Sequence, residues 1–189
     1  MKLTYLTIAS LLALAACSPP AAEAPPPAAP QPAAPETIQV QVQRATAEGV
    51  GESIGTVTFT DAEGGAAIAL DISGLPPGQH GFHIHEHASC APHAGASGAM
   101  EPAMAAGAHW DPETTGTHAG PEGAGHLGDL PFLEVGADGR APRGVIAPRI
   151  TSVAQLRGRA VMIHAGGDNY TDTPANGGGG ARLACGVIS

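Results

Sequence analysis

Lysine is almost absent from this chain of 189 residues, and basic residues of any kind are few. Lys2 is the only lysine, so every cation after it is an arginine. Lysine and arginine total 8 against 17 acidic residues, which gives a formal net charge of −9 at pH 7. Proteins that bind nucleic acid need clusters of basic side chains to neutralise phosphates. The charge balance therefore argues against nucleic acid as a partner.

Aromatic residues and long apolar runs are also scarce. Phe, Trp and Tyr make up 3% of the chain, so a core has to be built mainly from aliphatic side chains. The apolar stretch from Leu3 to Ala13 falls short of the about 18 residues that indicate a transmembrane helix. With Lys2 before it and Leu14-Ala15-Ala16-Cys17 after it, the stretch has the layout of a secretory signal. Its ending resembles a bacterial lipobox, which predicts a signal peptide over residues 1–16 and a lipid on Cys17.

Residues 17–35 predict a tether between that lipid and a folded domain. Ser18 to Pro35 is almost entirely Ala and Pro, a composition that forms an extended, semi-rigid chain and no core. One domain is therefore expected over residues 36–189. The lipid would hold it on a bacterial membrane, and Ser18 favours the outer membrane in a host that has two.

Cysteine is the next scarce residue, with 3 in the chain. Once Cys17 is assigned to the lipid, Cys90 and Cys185 remain. An even pair in an exported protein indicates one disulfide bond. The alternative is that both sulfurs are thiolate ligands of a metal.

Short segments of alternating apolar and polar residues follow one another from residue 38 onward. This alternation predicts half-buried strands, and Asp61-Ala62-Glu63-Gly64-Gly65 is a hairpin turn signal. The predicted strands cover residues 38–42, 50–60, 67–72, the segment around 83–85, 130–135, 144–150, 160–164 and 183–188. Strands at this spacing favour an antiparallel sandwich or barrel. Two long irregular loops, at 87–129 and 165–181, interrupt the pattern.

Two histidines share one face of the fourth predicted strand. Side chains two residues apart on a strand point to the same side, so His83 and His85 would converge while Phe82 and Ile84 face the other way. Two surface histidines on an exposed strand are the alternative reading. The histidines further along the chain favour a metal site.

The loop at 87–129 is too long to be left unordered in a compact domain without a function or a constraint. It contains a full tetrahedral ligand set for zinc, namely His109, His118, His126 and Asp129. His164 ends a predicted strand and, with the earlier histidine pair, would form a nitrogen-rich site suited to copper. Seven ligands leave two four-coordinate metals one ligand short, and a histidine that bridges both ions removes the deficit.

Five sequence motifs, taken in order along the chain, resemble the motifs of a known protein family. They are Gly81-Phe82-His83-Ile84-His85, the run from Gly120 to Pro131, Ile146-Ala147-Pro148-Arg149, His164-Ala165-Gly166-Gly167-Asp168-Asn169, and Gly177 to Gly186. On these motifs the chain resembles the bacterial periplasmic copper,zinc superoxide dismutases. The resemblance covers essentially all residues from Thr37 onward, and it implies an eight-stranded antiparallel Greek-key barrel or sandwich with two long functional loops.

The resemblance also implies a role for each ligand. The expected copper ligands are His83, His85, His109 and His164. The expected zinc ligands are His109, His118, His126 and Asp129, so that His109 bridges the two ions. Asp168 corresponds to the carboxylate that hydrogen-bonds histidine ligands of both metals, and Arg182 to the arginine that attracts superoxide. The pair Cys90 and Cys185 corresponds to the family's disulfide.

The implied activity is dismutation of superoxide to dioxygen and hydrogen peroxide by a cycling copper ion, with His109 passing a proton to the peroxide. A lipoprotein that stores or delivers copper without turnover is the alternative function, although storage requires neither a bridging histidine nor Arg182. A homodimer is a further possible assembly.

Three histidines have no ligand role: His80, expected to hydrogen-bond or pack behind the strand; His87, whose parity would admit it to the copper site; and His93, expected in solvent.

Overall fold

The computed structural model describes residues 34–189. The predicted signal peptide at 1–16, the lipid site Cys17 and the tether as far as residue 33 lie outside the described residues. Among the residues described, none belongs to a helix of sufficient length and apolarity to cross a membrane.

Strands make up nearly all of the regular structure in residues 34–189. In chain order they are β1 (Thr37–Thr46), β2 (Gly49–Ala62), β3 (Gly65–Ile72), β4 (Gly78–His80), β5 (Phe82–His85), β6 (His93–Ala94), β7 (Met100–Glu101), β8 (Leu133–Val135), β9 (Gly144–Ala147), β10 (Arg159–His164) and β11 (Arg182–Ile188). Three short 3-10 helices span Met104–Ala106, Val153–Leu156 and Ala175–Gly178. The part of the chain that the structure describes contains no α-helix.

The strands form an antiparallel sheet whose order differs from the chain order. The main sheet has 7 strands in the order β5-β10-β11-β1-β2-β3-β9, while β4 pairs with β8. Only Gly81 separates β4 from β5, so the two count as one strand that joins β8 to the main sheet. The expected all-β, eight-stranded antiparallel Greek-key fold is confirmed. The hairpin β6-β7 is an addition within the long loop.

Every strand expected from the alternation is present, with small shifts at the ends. The strand expected at 38–42 extends to Thr46, and the one expected at 130–135 begins only at Leu133. The hairpin β6-β7 was not expected, because strands of 2 residues carry no detectable alternation.

The core explains why the histidine face of β5 is buried. Phe82 and Ile84 belong to the main hydrophobic cluster between the sheet faces. On the opposite face, a second cluster contains Met162 of β10 and both Cys90 and Cys185. The loop that carries Cys90 therefore covers the face on which the histidines lie, and all 4 residues of β5 are buried.

Candidate metal centre

The copper-type histidines come from two adjacent strands and from the long loop. His83 and His85 lie on β5, and His164 lies at the end of the neighbouring strand β10. His109 joins them through a backbone bridge opposite His85. One potential ligand atom from each of these 4 histidines lies within 4.8 Å of the others, and all four side chains are buried. The face predicted for the His83 and His85 pair is the one observed.

Backbone contacts with β5 hold the loop residues in place. Trp110 N–H donates to Ile84 O, and Ile84 N–H donates to Gly128 O, both at 2.8 Å. A Cβ at Gly128 would lie 2.3 Å from Ile84 O, so this approach requires glycine. Asp129 bridges His83 through the backbone just after this contact. The two loop segments therefore deliver His109 and Asp129 to the ends of the same short strand.

The zinc-type residues His118 and Asp129 belong to a second tight group, which shares both His83 and His109 with the first. Ligand atoms of His83, His109, His118 and Asp129 lie within 4.8 Å of one another. His109 Nδ1 lies 2.9 Å from Asp129 Oδ1, and His118 Nδ1 lies 3.0 Å from Asp129 Oδ2. His126 is outside this tight group, but its Nδ1 approaches Asp129 Oδ1 at 3.4 Å. The structure thus brings the four expected zinc ligands together, with His126 at the rim.

Four buried ring nitrogens in the two groups have no hydrogen-bond partner in the described residues. They are His83 Nδ1, His109 Nε2, His118 Nδ1 and His126 Nδ1. Buried polar atoms in proteins are nearly always paired, so four unpaired ones in one place require an explanation. Imidazole nitrogens with one carboxylate are a zinc donor set, and an all-imidazole group suits copper. The residues present therefore fit two metal ions.

In four of the histidine rings, one nitrogen is hydrogen-bonded to an oxygen acceptor, and this bond sets the orientation of the ring. Asp168 accepts hydrogen bonds from His83 Nε2 and His118 Nε2, each at 2.7 Å. His85 Nδ1 donates to Gly107 O at 2.9 Å, and His164 Nδ1 donates to Gly180 O at 3.2 Å. A proton fixed on one ring nitrogen leaves the lone pair on the other, as a metal ligand requires. Asp168 occupies the bridging place that was expected for it.

Burial and neighbouring charges separate the two groups electrostatically. Burial, with a contribution from the neighbouring His83, lowers the pKa of His109 to about 4. Burial likewise holds the pKa values of His85 and His164 well below the usual value. Burial also acts to lower the pKa of His118, but the nearby carboxylates of Asp129 and Asp168 outweigh it and raise that pKa to about 9. Burial thus favours the neutral form of the copper-type histidines, while the carboxylates of Asp129 and Asp168 favour a cation on the zinc side.

Arg182 lies beside the copper-type group and is fixed by the long loop. Its two terminal nitrogens donate to Ala103 O and Gly107 O, each at 2.7 Å. Gly107 O is the same atom that accepts from His85 Nδ1. Gly107 has φ of 79°, and a Cβ there would lie 2.6 Å from Glu86 Oε2. Glycine is therefore required at the position that links Arg182 to His85.

A disulfide between Cys90 and Cys185 connects the long loop to β11. The two Cα atoms are 5.7 Å apart across a sequence separation of 95. This confirms the predicted disulfide, and the alternative of two thiolate ligands is wrong.

The family profile described as Copper/zinc superoxide dismutase (SODC) matches residues 53–188. The chain belongs to the copper/zinc superoxide dismutase family. "Superoxide dismutase [Cu-Zn]" of Escherichia coli K12 is 52% identical over 151 residues, which cover 79% of this chain and 87% of that protein. The protein of the same name from Brucella abortus is 48% identical over 154 residues, covering 81% and 88% of the two chains.

Two solved structures of bacterial family members are similar to this chain. The copper/zinc superoxide dismutase from Brucella abortus has a TM-score of 0.79 at 48% identity, covering 82% of this chain and 100% of that one. The monomeric copper, zinc superoxide dismutase from Salmonella enterica has a TM-score of 0.73 at 51% identity, with the same coverage. Both likenesses support the all-β superoxide dismutase fold.

The histidines without a ligand role lie outside both groups. The buried ring of His80 places Nδ1 2.7 Å from His164 O and Nε2 2.8 Å from Pro76 O, in agreement with the expected role behind the strand. The side chain of His87 is 66% exposed, and its Nε2 lies 3.9 Å from Glu86 Oε2. Parity alone would admit His87 to the site, but the chain turns away from the sheet direction after His85, where β5 ends. His93 is exposed, as expected.

Several residues that organise the superoxide dismutase site were missed in the sequence. Asp172 Oδ1 accepts the backbone N–H of His118 at 2.7 Å. Arg149 donates to Gly125 O at 2.9 Å and to His126 O at 3.0 Å, so it holds the segment that carries His126. These contacts join residues 23 or more positions apart, and no local pattern predicts them. Arg149 lies in one of the five motifs on which the family resemblance rests, and this was the available sequence evidence that it has a role in the site.

Proposed function

We propose that this chain converts superoxide to dioxygen and hydrogen peroxide at a two-metal site. Copper would be held by the four buried histidines His83, His85, His109 and His164. Zinc would be held by His109, His118, His126 and Asp129. The observation that carries this proposal is the position of His109, whose Nδ1 faces Asp129 at 2.9 Å while its buried Nε2 has no partner among the described residues. One imidazole can therefore serve both groups.

When bound, copper would supply the one-electron redox chemistry, and zinc, held with the shared His109, would supply a positive charge without redox change. The protein contributes geometry and a route for protons. His109 can hold a proton at Nε2 and pass it to the peroxide, because Nδ1 stays directed at the zinc side. Arg182 uses two of its five N–H groups on carbonyl oxygens, so the remaining ones can orient the superoxide anion.

Superoxide consumption by the metal-reconstituted protein tests this proposal. We expect catalytic turnover that requires copper. A protein that binds copper in the buried site without consuming superoxide would instead support the storage or delivery function. The presence of both the bridging His109 and Arg182 favours turnover, because storage uses neither.

Electrostatic attraction of superoxide depends on Arg182 and the metals, because no lysine occurs after Lys2. Glu101 and Arg182 line the same cavity of about 190 Å³, together with Met104. Burial lowers the pKa of Arg182 and the charge of Glu101 opposes that effect, so the two side chains act on each other. The local field in a cleft governs the capture of a charged substrate more than net charge does. We expect weaker attraction than in relatives that carry lysines.

Replacing Glu101 by a neutral residue is therefore expected to speed the reaction with superoxide. Glu101→Gln should raise the second-order rate constant for superoxide by roughly twofold to fivefold at low ionic strength. The gain should shrink as salt screens the field. Stopped-flow measurement over a salt series provides the comparison. Glu63→Gln, which makes the same charge change in the exposed β2-β3 turn, is the matched control, and an equal gain in both variants would contradict a local effect.

We also propose a location for the domain. Membership of this bacterial family supports the periplasm, and the segment up to Cys17 supports a lipid tether with the domain at 36–189, on the outer membrane where the host has two membranes. A homodimer gains no support from the Salmonella relative, which is described as monomeric.

The tether has a direct test. Cys17→Ser should move the protein from the membrane fraction to the soluble periplasmic fraction, because the lipidation site is lost. Fractionation followed by immunoblotting measures this shift. Ser18→Ala keeps the cysteine and should leave the protein on a membrane. Retention of Cys17→Ser on the membrane would contradict the lipid anchor.

A further inference from the structure

Tyr170 has an unusual backbone conformation next to the metal centre. Its φ is 59°, in the left-handed region. A bulky residue there is an outlier, and such residues persist only when surrounding contacts impose them. Tyr170 lies two positions after Asp168, the carboxylate that orients His83 and His118. The contacts that keep this strained residue in place therefore also bear on that carboxylate.

Tyr170 contacts three residues, which lie in two different parts of the site. Its backbone N–H donates to Asp168 Oδ1 at 2.8 Å. Its hydroxyl accepts the backbone N–H of Phe132 at 3.1 Å, and the two rings stack with centroids 5.6 Å apart. Its ring also covers Gly120, where an added Cβ would lie 2.5 Å from Tyr170 Cγ. Tyr170 thus joins the turn at Asp168 to the segment from Gly120 to Phe132.

That segment supplies half of the zinc-type ligands. His126 and Asp129 lie inside it, and His118 lies just before Gly120. Phe132 follows Asp129 by three residues, so the hydroxyl contact holds the chain close to the carboxylate ligand. The ring over Gly120 holds the chain close to His118. Tyr170 therefore contacts both ends of the segment.

The same turn controls the orientation of two rings. Asp168 Oδ1 accepts from both His118 Nε2, at 2.7 Å, and the backbone N–H of Tyr170. Asp168 Oδ2 accepts from His83 Nε2 at 2.7 Å. These bonds direct the unpaired Nδ1 atoms of His83 and His118 into the site. A displacement of the turn would therefore rotate one ring of the copper group and one ring of the zinc group.

We propose that Tyr170 is a positioning residue for the two-metal site. Its hydroxyl and ring hold the Asp168 turn at a fixed distance from the segment that carries the zinc-type ligands. The inference rests on the proposed function only in taking these residues as metal ligands. It assigns to Tyr170 no contact with substrate or metal.

Zinc affinity and a spectroscopic signature test this role. Tyr170→Phe keeps the ring and removes only the hydroxyl, and we expect zinc binding, measured by chelator competition, to weaken roughly 10-fold. Tyr170→Ala removes the ring as well, and its zinc affinity should fall further, by roughly 100-fold. Cobalt(II) bound in place of zinc should show a changed visible spectrum in Tyr170→Phe, because its ligands would be displaced.

Thr60→Val is the matched control for loss of one hydroxyl. Thr60 Oγ1 contacts Thr37 Oγ1 at 3.2 Å on β2, outside both ligand groups. Its zinc affinity and cobalt spectrum should equal those of the parent protein. A Tyr170→Phe protein that matches the parent in both readouts would overturn the inference, even if Tyr170→Ala fails to fold. Neither readout uses superoxide, so a parent that binds zinc but shows no turnover would reject only the proposed function.

Discussion

Substitution of His109 by alanine is expected to reduce superoxide consumption by between about 10²- and 10⁴-fold, the range typical for loss of a proton-transferring group. The variant loses the ring whose Nδ1 faces Asp129 and whose Nε2 is unpaired on the other side. It therefore loses both the link between the two ligand groups and the proposed proton carrier. Pulse radiolysis or a stopped-flow assay of the metal-reconstituted protein measures the rate constant.

The control for this experiment is His93→Ala, which removes an exposed imidazole of the same loop. Its activity should equal that of the parent protein. Copper and zinc contents of both variants should be measured beside the rates, because His109→Ala is also expected to bind less of each metal. Full activity in His109→Ala would contradict the bridging role.

Removal of the Cys90–Cys185 disulfide is expected to cause a large loss of stability. The double variant Cys90→Ser/Cys185→Ser should lower the free energy of unfolding by roughly 2–5 kcal/mol, the range for a native disulfide in an exported domain. The bond closes a loop with a sequence separation of 95, so the unfolded chain gains much freedom when it is absent. Urea denaturation of the metal-free protein gives the difference.

The parent protein treated with a reductant is the matched control, because it keeps both sulfur atoms and loses only the bond. It should unfold at nearly the same urea concentration as the double variant. An unchanged unfolding midpoint in both samples would contradict a stabilising role. A large loss in the variant alone would indicate that packing of the buried sulfurs, which lie with Met162 in the second cluster, carries the stability instead.

The sequence predicted the parts of this site that depend on local periodicity. The two-residue spacing of His83 and His85 placed them on one face, and the alternating apolar residues Phe82 and Ile84 on the other, as the structure has them. Alternation also located the strands, because each has one face in the core. The metal-type residues of the long loop were grouped as a zinc donor set from their chemistry alone, and the family resemblance was needed only to say which histidine bridges the two ions.

Contacts between distant loops were beyond prediction from the sequence. Asp172 bonds the backbone of His118 across 54 positions, and Tyr170 bonds Phe132 across 38. Each contact depends on where the sheet brings two loops together, which composition and spacing do not encode. The exclusion of His87 has the same origin, because strand parity holds only as far as the strand continues, and β5 ends at His85.

The carbonyl oxygen of Gly107 links the position of the copper-type histidine His85 to the position of Arg182. It accepts one hydrogen bond from the copper-type ligand His85 and another from Arg182, the residue expected to meet superoxide. Any movement of this peptide group displaces both His85 and Arg182 at the same time. A charge such as Glu101, which acts on the arginine without sharing that oxygen, is therefore a place where substrate capture can change while His85 stays in position.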